Sequence, residues 1–266
     1  METPAPFVDS AMRIDRASQQ FNSLKSEITE WLRRQTYQIS VKNDVRTREG
    51  SLELIEVEPT PTSWPLVSSE IVGHLRAALD NAIYHVSVAH TGQQVPRTEF
   101  PIFIEEEDFV KNGLKRVRGI PDRVRAVVET AQPCRNDQPK NNALWVLHEL
   151  CNSEKHQQLP VVEIFRNVDV SVSHLRGIER IQTKHANPGP LKDGTEIARW
   201  KIEAITGEGD VKVDFKLARD IVLDVARPPC VAGHSLISVL DLCGEITLRV
   251  LRAMIYEFQA WQSPQN

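Results

Sequence analysis

Residues 235–261, SLISVLDLCGEITLRVLRAMIYEFQAW, constrain the fold of this chain more than any other stretch. Leu236, Val239, Leu240, Cys243, Ile246, Val250, Leu251, Met254 and Phe258 recur at three- and four-residue steps, the period of an α-helix. Ile237, Leu242, Leu248 and Ile255 widen the stripe. A helix this apolar around its circumference belongs at the centre of a core, so earlier helices must be present for it to pack against. Ser235 is placed to cap its start.

Those helices are visible. Ile14, Ala17, Phe21, Leu24, Ile28 and Trp31 predict a helix over 9–35, with Asp9 or Ser10 as its cap. Ile71, Leu75, Ala78, Leu79, Ala82, Ile83 and Val86 predict another over 66–90, with Arg76 and Asp80 paired one turn apart on its side. A shorter helix starts at Pro121 and ends near Pro133, and a further one covers 140–156.

Between these, the period switches to two. Tyr37, Ile39 and Val41, then Leu52, Leu54 and Val57, predict a β-hairpin with the long polar loop KNDVRTREG, stopped by Pro59, Pro61 and Pro65. After Pro160, Val168, Val170 and Val172 alternate with polar residues. Trp200 and Ile202 do the same, as do Val211, Val213, Phe215 and Leu217. Clean alternation means one wet face and an antiparallel sheet. Loop 185–195 joins two strands, Gly207 and Gly209 supply a turn, and Pro228-Pro229 ends the sheet. The expectation is an α+β chain forming one interlocked domain over 1–266. Its helical part is 9–156 plus 235–261, with a hairpin at 37–58 and an antiparallel sheet at 160–227 inserted before the last helix.

Net charge is −4 over 266 residues, which argues against a surface that coats nucleic acid throughout. Cys134, Cys151, Cys230 and Cys243 stand too far apart for a zinc framework or a disulfide pattern, and Cys151 and Cys243 fall in apolar helical stretches. Neither a phosphate loop nor a nucleophile elbow is present. "GHSLIS" lacks the flanking glycines of the latter. No metal and no cofactor are expected. The N-terminus lacks a basic start followed by an apolar run, and no run of about 18 apolar residues occurs. No membrane partner and a cytoplasmic location are therefore expected.

The helix at 140–156 has two organised faces. Ala143, Leu144, Leu147, Leu150 and Cys151 form an aliphatic one, whereas Trp145, His148, Asn152 and His156 gather on a second. His156 is suited to proton transfer near neutral pH, with Asn152 to orient a substrate and Lys155 to add charge; Trp145 and His148 are candidate binding residues. A homodimer through this face is one expectation. A helix end with a cationic last turn is the plain alternative. Glu154 falls toward the aliphatic face and needs a partner, for which Arg76 is the candidate. The basic stretch KNGLKRVRGIPDRVR sets Lys111, Lys115, Arg116, Arg118, Arg123 and Arg125 against Asp122 alone. It is a candidate RNA-binding patch, or a solvated surface paired with the acidic run 105–108. No aromatic residue interrupts it for base stacking.

"LRAALD", "FPIF" and "LWVLHELCNSEKH" occur in this order. Together they resemble a family of uncharacterised bacterial proteins with LRxALD, FPI and LxxLxNxxKH motifs, which is more distantly similar to the HEPN helical superfamily. The resemblance spans residues 65–160. It implies a HEPN-like helical core and a bacterial binding or assembly module in a defence or toxin setting. Many HEPN members are metal-independent ribonucleases with an Arg-polar-x3–5-His motif at a dimer interface. Here Asn152 stands where that arginine would be, which removes the main stabiliser of phosphorane charge. The resemblance thus implies, as the alternative function, a divergent ribonuclease using His156 with Asn152 or Lys155.

Overall fold

The computed structural model describes residues 3–34, 36–44, 46–154, 159–185, 189–224 and 228–263. The architecture is α+β. Helix α1 (Val8–Arg33) is followed by strands β1 (Gln38–Asp44) and β2 (Glu49–Ile55), then α2 (Ser63–Thr91). After α2 come α3 (Asp122–Thr130), α4 (Ala143–Glu154), β3 (Val161–His185), β4 (Glu196–Leu223) and α5 (Leu236–Gln262). No helix among the described residues is long and apolar enough to cross a membrane.

Backbone contacts divide the chain into two compact units, each discontinuous in sequence. A helical unit comprises Met1–Lys25, Thr62–Pro160 and Leu223–Asn266, and a sheet unit comprises Ser26–Pro61 and Val161–Val222.

In the helical unit, α5 packs against α2, α3 and α4. Leu236, Val239, Leu240, Cys243, Val250, Leu251, Met254 and Phe258 are buried, as the stripe predicts. Burial pushes the Cys243 thiol up to about 12, so it packs as a small hydrophobe. Phe258 meets Phe7 edge to face with ring centroids 5.7 Å apart. Helix α2 starts three residues before the predicted position, because Pro65 in a first turn leaves no hydrogen bond unmade. It stops at Gly92, whose φ of 73° favours glycine. The expected caps of α1 act elsewhere. The buried Ser10 hydroxyl donates to the Ala78 carbonyl at 2.8 Å, and Asp9 pairs with His85 at 2.9 Å.

In the sheet unit the strand order is β1-β2-β4-β3, and the β1–β2 and β2–β4 pairings are antiparallel. Three sequence expectations are corrected here. The hairpin loop is short, since β1 and β2 run through the polar stretch and leave only 45–48 between them. As the edge strand, β1 exposes Lys42, Asn43 and Asp44 and needs no alternation there. Its turn is set by the Asp44 carboxylate, which accepts the Arg46 N–H at 2.8 Å and the Thr47 N–H at 3.2 Å. Gly207 and Gly209 lie inside continuous β4 and make no turn; glycine permits an extended backbone as readily as a reversed one. Phe215 is exposed rather than inward.

The sheet core is Leu52, Leu54, Phe165, Ile197, Ala198 and Trp200. Two consecutive residues, Ile197 and Ala198, are both buried because the β2–β4 register slips by one between Leu52 and Glu53. Such a bulge inserts one extra residue into β4 and breaks strict alternation.

Candidate functional site

Helices α2 and α4 of the helical unit pack together and, with the segment 99–116, border a cleft of about 420 Å³. Its lining includes Gly73, Arg76 and Asp80 from α2, Glu99 and Arg116 from the connecting segment, and His148 and Asn152 from α4. LRAALD and LWVLHELCNSEKH both contribute lining residues, and FPIF follows directly on Glu99.

The segment Phe100-Pro101-Ile102-Phe103 has no regular secondary structure, yet buried backbone groups need partners. Side chains supply them. Arg76 Nη2 donates to the Phe100 carbonyl at 2.6 Å, and the Phe100 N–H donates to Asp80 Oδ1 at 2.9 Å. Fully buried Gln132 donates to the Pro101 carbonyl at 2.8 Å and accepts the Phe103 N–H at 3.2 Å. Phe100 and Ile102 are thereby held in the core.

Arg76 and Asp80 also join directly through two hydrogen bonds, Nε to Oδ2 at 3.2 Å and Nη2 to Oδ1 at 2.9 Å. Burial pushes the Asp80 carboxyl above the ordinary aspartate range, outweighing the Arg76 guanidinium and the Phe100 N–H, while Glu99 adds to the rise. Arg76 Nη1 is buried and makes no hydrogen bond among the described residues. Opposite, Arg116 pairs with Glu99 and lies over the Phe103 ring, 5.2 Å from its centroid. Asn152 and His148 are joined side chain to side chain at 3.0 Å, and the His148 ring rests against Trp145 at 5.3 Å between centroids. Gly73 lies in the interior of α2, where a Cβ would meet nothing within 4 Å. The absent side chain leaves the cleft open.

Of the candidate residues read from the sequence, Asn152 and His148 line this cleft and Trp145 buttresses His148. Lys155 and His156 lie outside the described residues, as does the Glu154 side chain that was assigned to Arg76. Arg116 is the member of the basic stretch that lines the cleft. Arg123 pairs with Glu257 at 3.3 Å, and Arg125 with Asp122 at 2.7 Å and Glu129 at 3.4 Å. Lys111, Lys115 and Arg118 are exposed. The acidic run does not supply the partners found for this stretch, and its Glu106 pairs instead with Arg135. Asp80, Glu99 and Gly73 were missed as site residues. An interior glycine in an otherwise apolar helix was the available signal.

The arrangement offers donors on Arg116, His148 and Asn152 and acceptors on Asp80 and Glu99, a set suited to a small polar ligand with an oxyanion. Among the described residues no group of three or more His, Cys, Asp or Glu is arranged to hold a metal ion. No family model, curated protein or solved structure matches the chain.

Proposed function

We propose that this protein is a binding module whose helical unit takes up a phosphate-bearing ligand in the α2–α4 cleft. The observation that carries the reading is that Arg116, His148 and Asn152 line one opening that Gly73 leaves unfilled. A guanidinium, an imidazole and an amide can each donate to a phosphate oxygen, and the guanidinium does so with charge assistance. The Arg76–Asp80 pair is committed to the Phe100 backbone and shapes the wall.

Calorimetric titration with inorganic phosphate, adenosine monophosphate and a short single-stranded RNA tests the reading. Loss of one charge-assisted hydrogen bond lowers affinity by roughly tenfold or more, so Arg116→Gln and His148→Ala should each weaken binding. Absence of saturable binding to all three probes, or equal binding by both variants, removes the proposal.

RNA is the second reading, favoured by the exposed Lys115 and Arg118 on either side of Arg116 in sequence. Under it, affinity falls steeply with salt, and Lys115→Gln with Arg118→Gln weakens RNA without affecting the mononucleotide.

A further inference from the structure

A second opening in the helical unit has different chemistry. Helices α1, α2 and α5 border a slot of about 120 Å³, walled by Phe21, Ile71, Leu75, Leu240 and Leu248. Its volume approaches the roughly 150 Å³ of apolar cavities that take up benzene.

Two features of α5 work against the slot's being ordinary packing. Gly244 lines it from the helix interior, and nothing stands within 4 Å of where its Cβ would be. Glycine is the poorest helix former after proline, so a larger apolar residue would both favour the helix and fill the slot. Asp241 and Glu245 line the same slot four residues apart, a spacing at which like charges repel on a helix. Both are exposed, and neither has a hydrogen bond or ion pair among the described residues.

An apolar pocket bordered by two exposed carboxylates, neither in an ion pair among the described residues, matches a ligand with an apolar body and a positive charge. An anion would be repelled, and a neutral ligand would gain nothing from either carboxylate. We propose that the slot binds a small organic ammonium ion. Its aryl or branched alkyl group rests on the Phe21–Leu75–Leu248 wall and its ammonium stands beside Asp241 and Glu245.

The test is titration of the full chain with benzylammonium, with benzyl alcohol and benzoate as isosteres, followed by calorimetry and by NMR shifts of α5 amides. Saturable benzylammonium binding is expected, with benzyl alcohol weaker by roughly threefold to tenfold, the range two exposed ion pairs give. Benzoate should be weaker still. Gly244→Leu should abolish binding while thermal unfolding stays cooperative. Asp241→Asn with Glu245→Gln, at exposed positions, should erase the preference for the ammonium even if Gly244→Leu proves unstable. Absence of saturable binding, equal affinity for alcohol and ammonium, or shifts that persist in folded Gly244→Leu would overturn the proposal.

Discussion

Asp80 lies one turn beyond Arg76 on α2, and the two side chains hold both backbone groups of Phe100 while bonding to each other. Their side chains are 15% and 31% exposed, so this is not the weak surface pair that their spacing alone suggests. Arg76→Ala leaves the Phe100 carbonyl and the Asp80 carboxylate without this partner. It should cost about 2 kcal/mol, less than the 3–5 kcal/mol typical of fully buried pairs. Urea denaturation measures the loss.

Asp80 also makes stability depend on pH. Its native pKa is raised above the ordinary value of 3.8, so the native state holds this proton more tightly than the unfolded chain does. The stability associated with this group is therefore greatest below 3.8 and falls as pH rises toward the higher native pKa. Between pH 3.5 and 6, urea midpoints of Asp80→Asn should gain on wild type as pH rises. A difference that shrinks instead would show that the native carboxyl ionises more readily than the unfolded one.

Two glycines should respond in opposite senses. Gly50 lies across from Trp200 in the β2–β4 register, and a Cβ there would stand 2.3 Å from the indole. Gly50→Ala should cost about 1–3 kcal/mol through overpacking against that buried ring. Gly73→Ala meets no neighbour and should stabilise by up to about 1 kcal/mol through helix propensity. Thermal melts of both variants check the contrast.

In the sheet unit, Arg219 donates to Glu163 at 2.9 Å and to the Leu32 carbonyl near the end of α1 at 2.5 Å. Glu163 also accepts the Trp31 indole N–H at 2.8 Å. Both charged side chains are under one-tenth exposed, so Arg219→Met should cost about 3–5 kcal/mol. Adding Glu163→Leu should restore part of that, because no buried charge is then left alone. Equilibrium denaturation of the two variants and the double variant gives the coupling.

The helices were legible because a 3.6-residue stripe is a local signal, and Leu75, Leu79, Leu240 and Met254 are buried as their spacing requires. The strands were legible where one face is wet, but not at Ile197, where a bulge belongs to the β2–β4 pairing rather than to the sequence of β4. The cleft was half legible. His148 and Asn152 announce themselves by sharing a helix face, whereas Glu99 and Arg116 are 17 residues apart and acquire a role through tertiary pairing. Asp80 was visible as Arg76's partner, but its grip on Phe100 joins residues 20 apart in the chain.

The Asp224 N–H donates to the Pro160 carbonyl at 3.0 Å, and Leu223 and Gly233 are joined nearby by a backbone hydrogen bond of 2.8 Å. To the helical unit, the chain's departure after Pro160 and its return at Leu223 are therefore one pinned junction, equivalent to a tight turn. Closure entropy grows only with the logarithm of loop length. Residues inserted or removed between those two points therefore cost the helical unit little, provided the β2–β4 pairing and the bonds of Glu163 and Arg219 to Trp31 and Leu32 are kept.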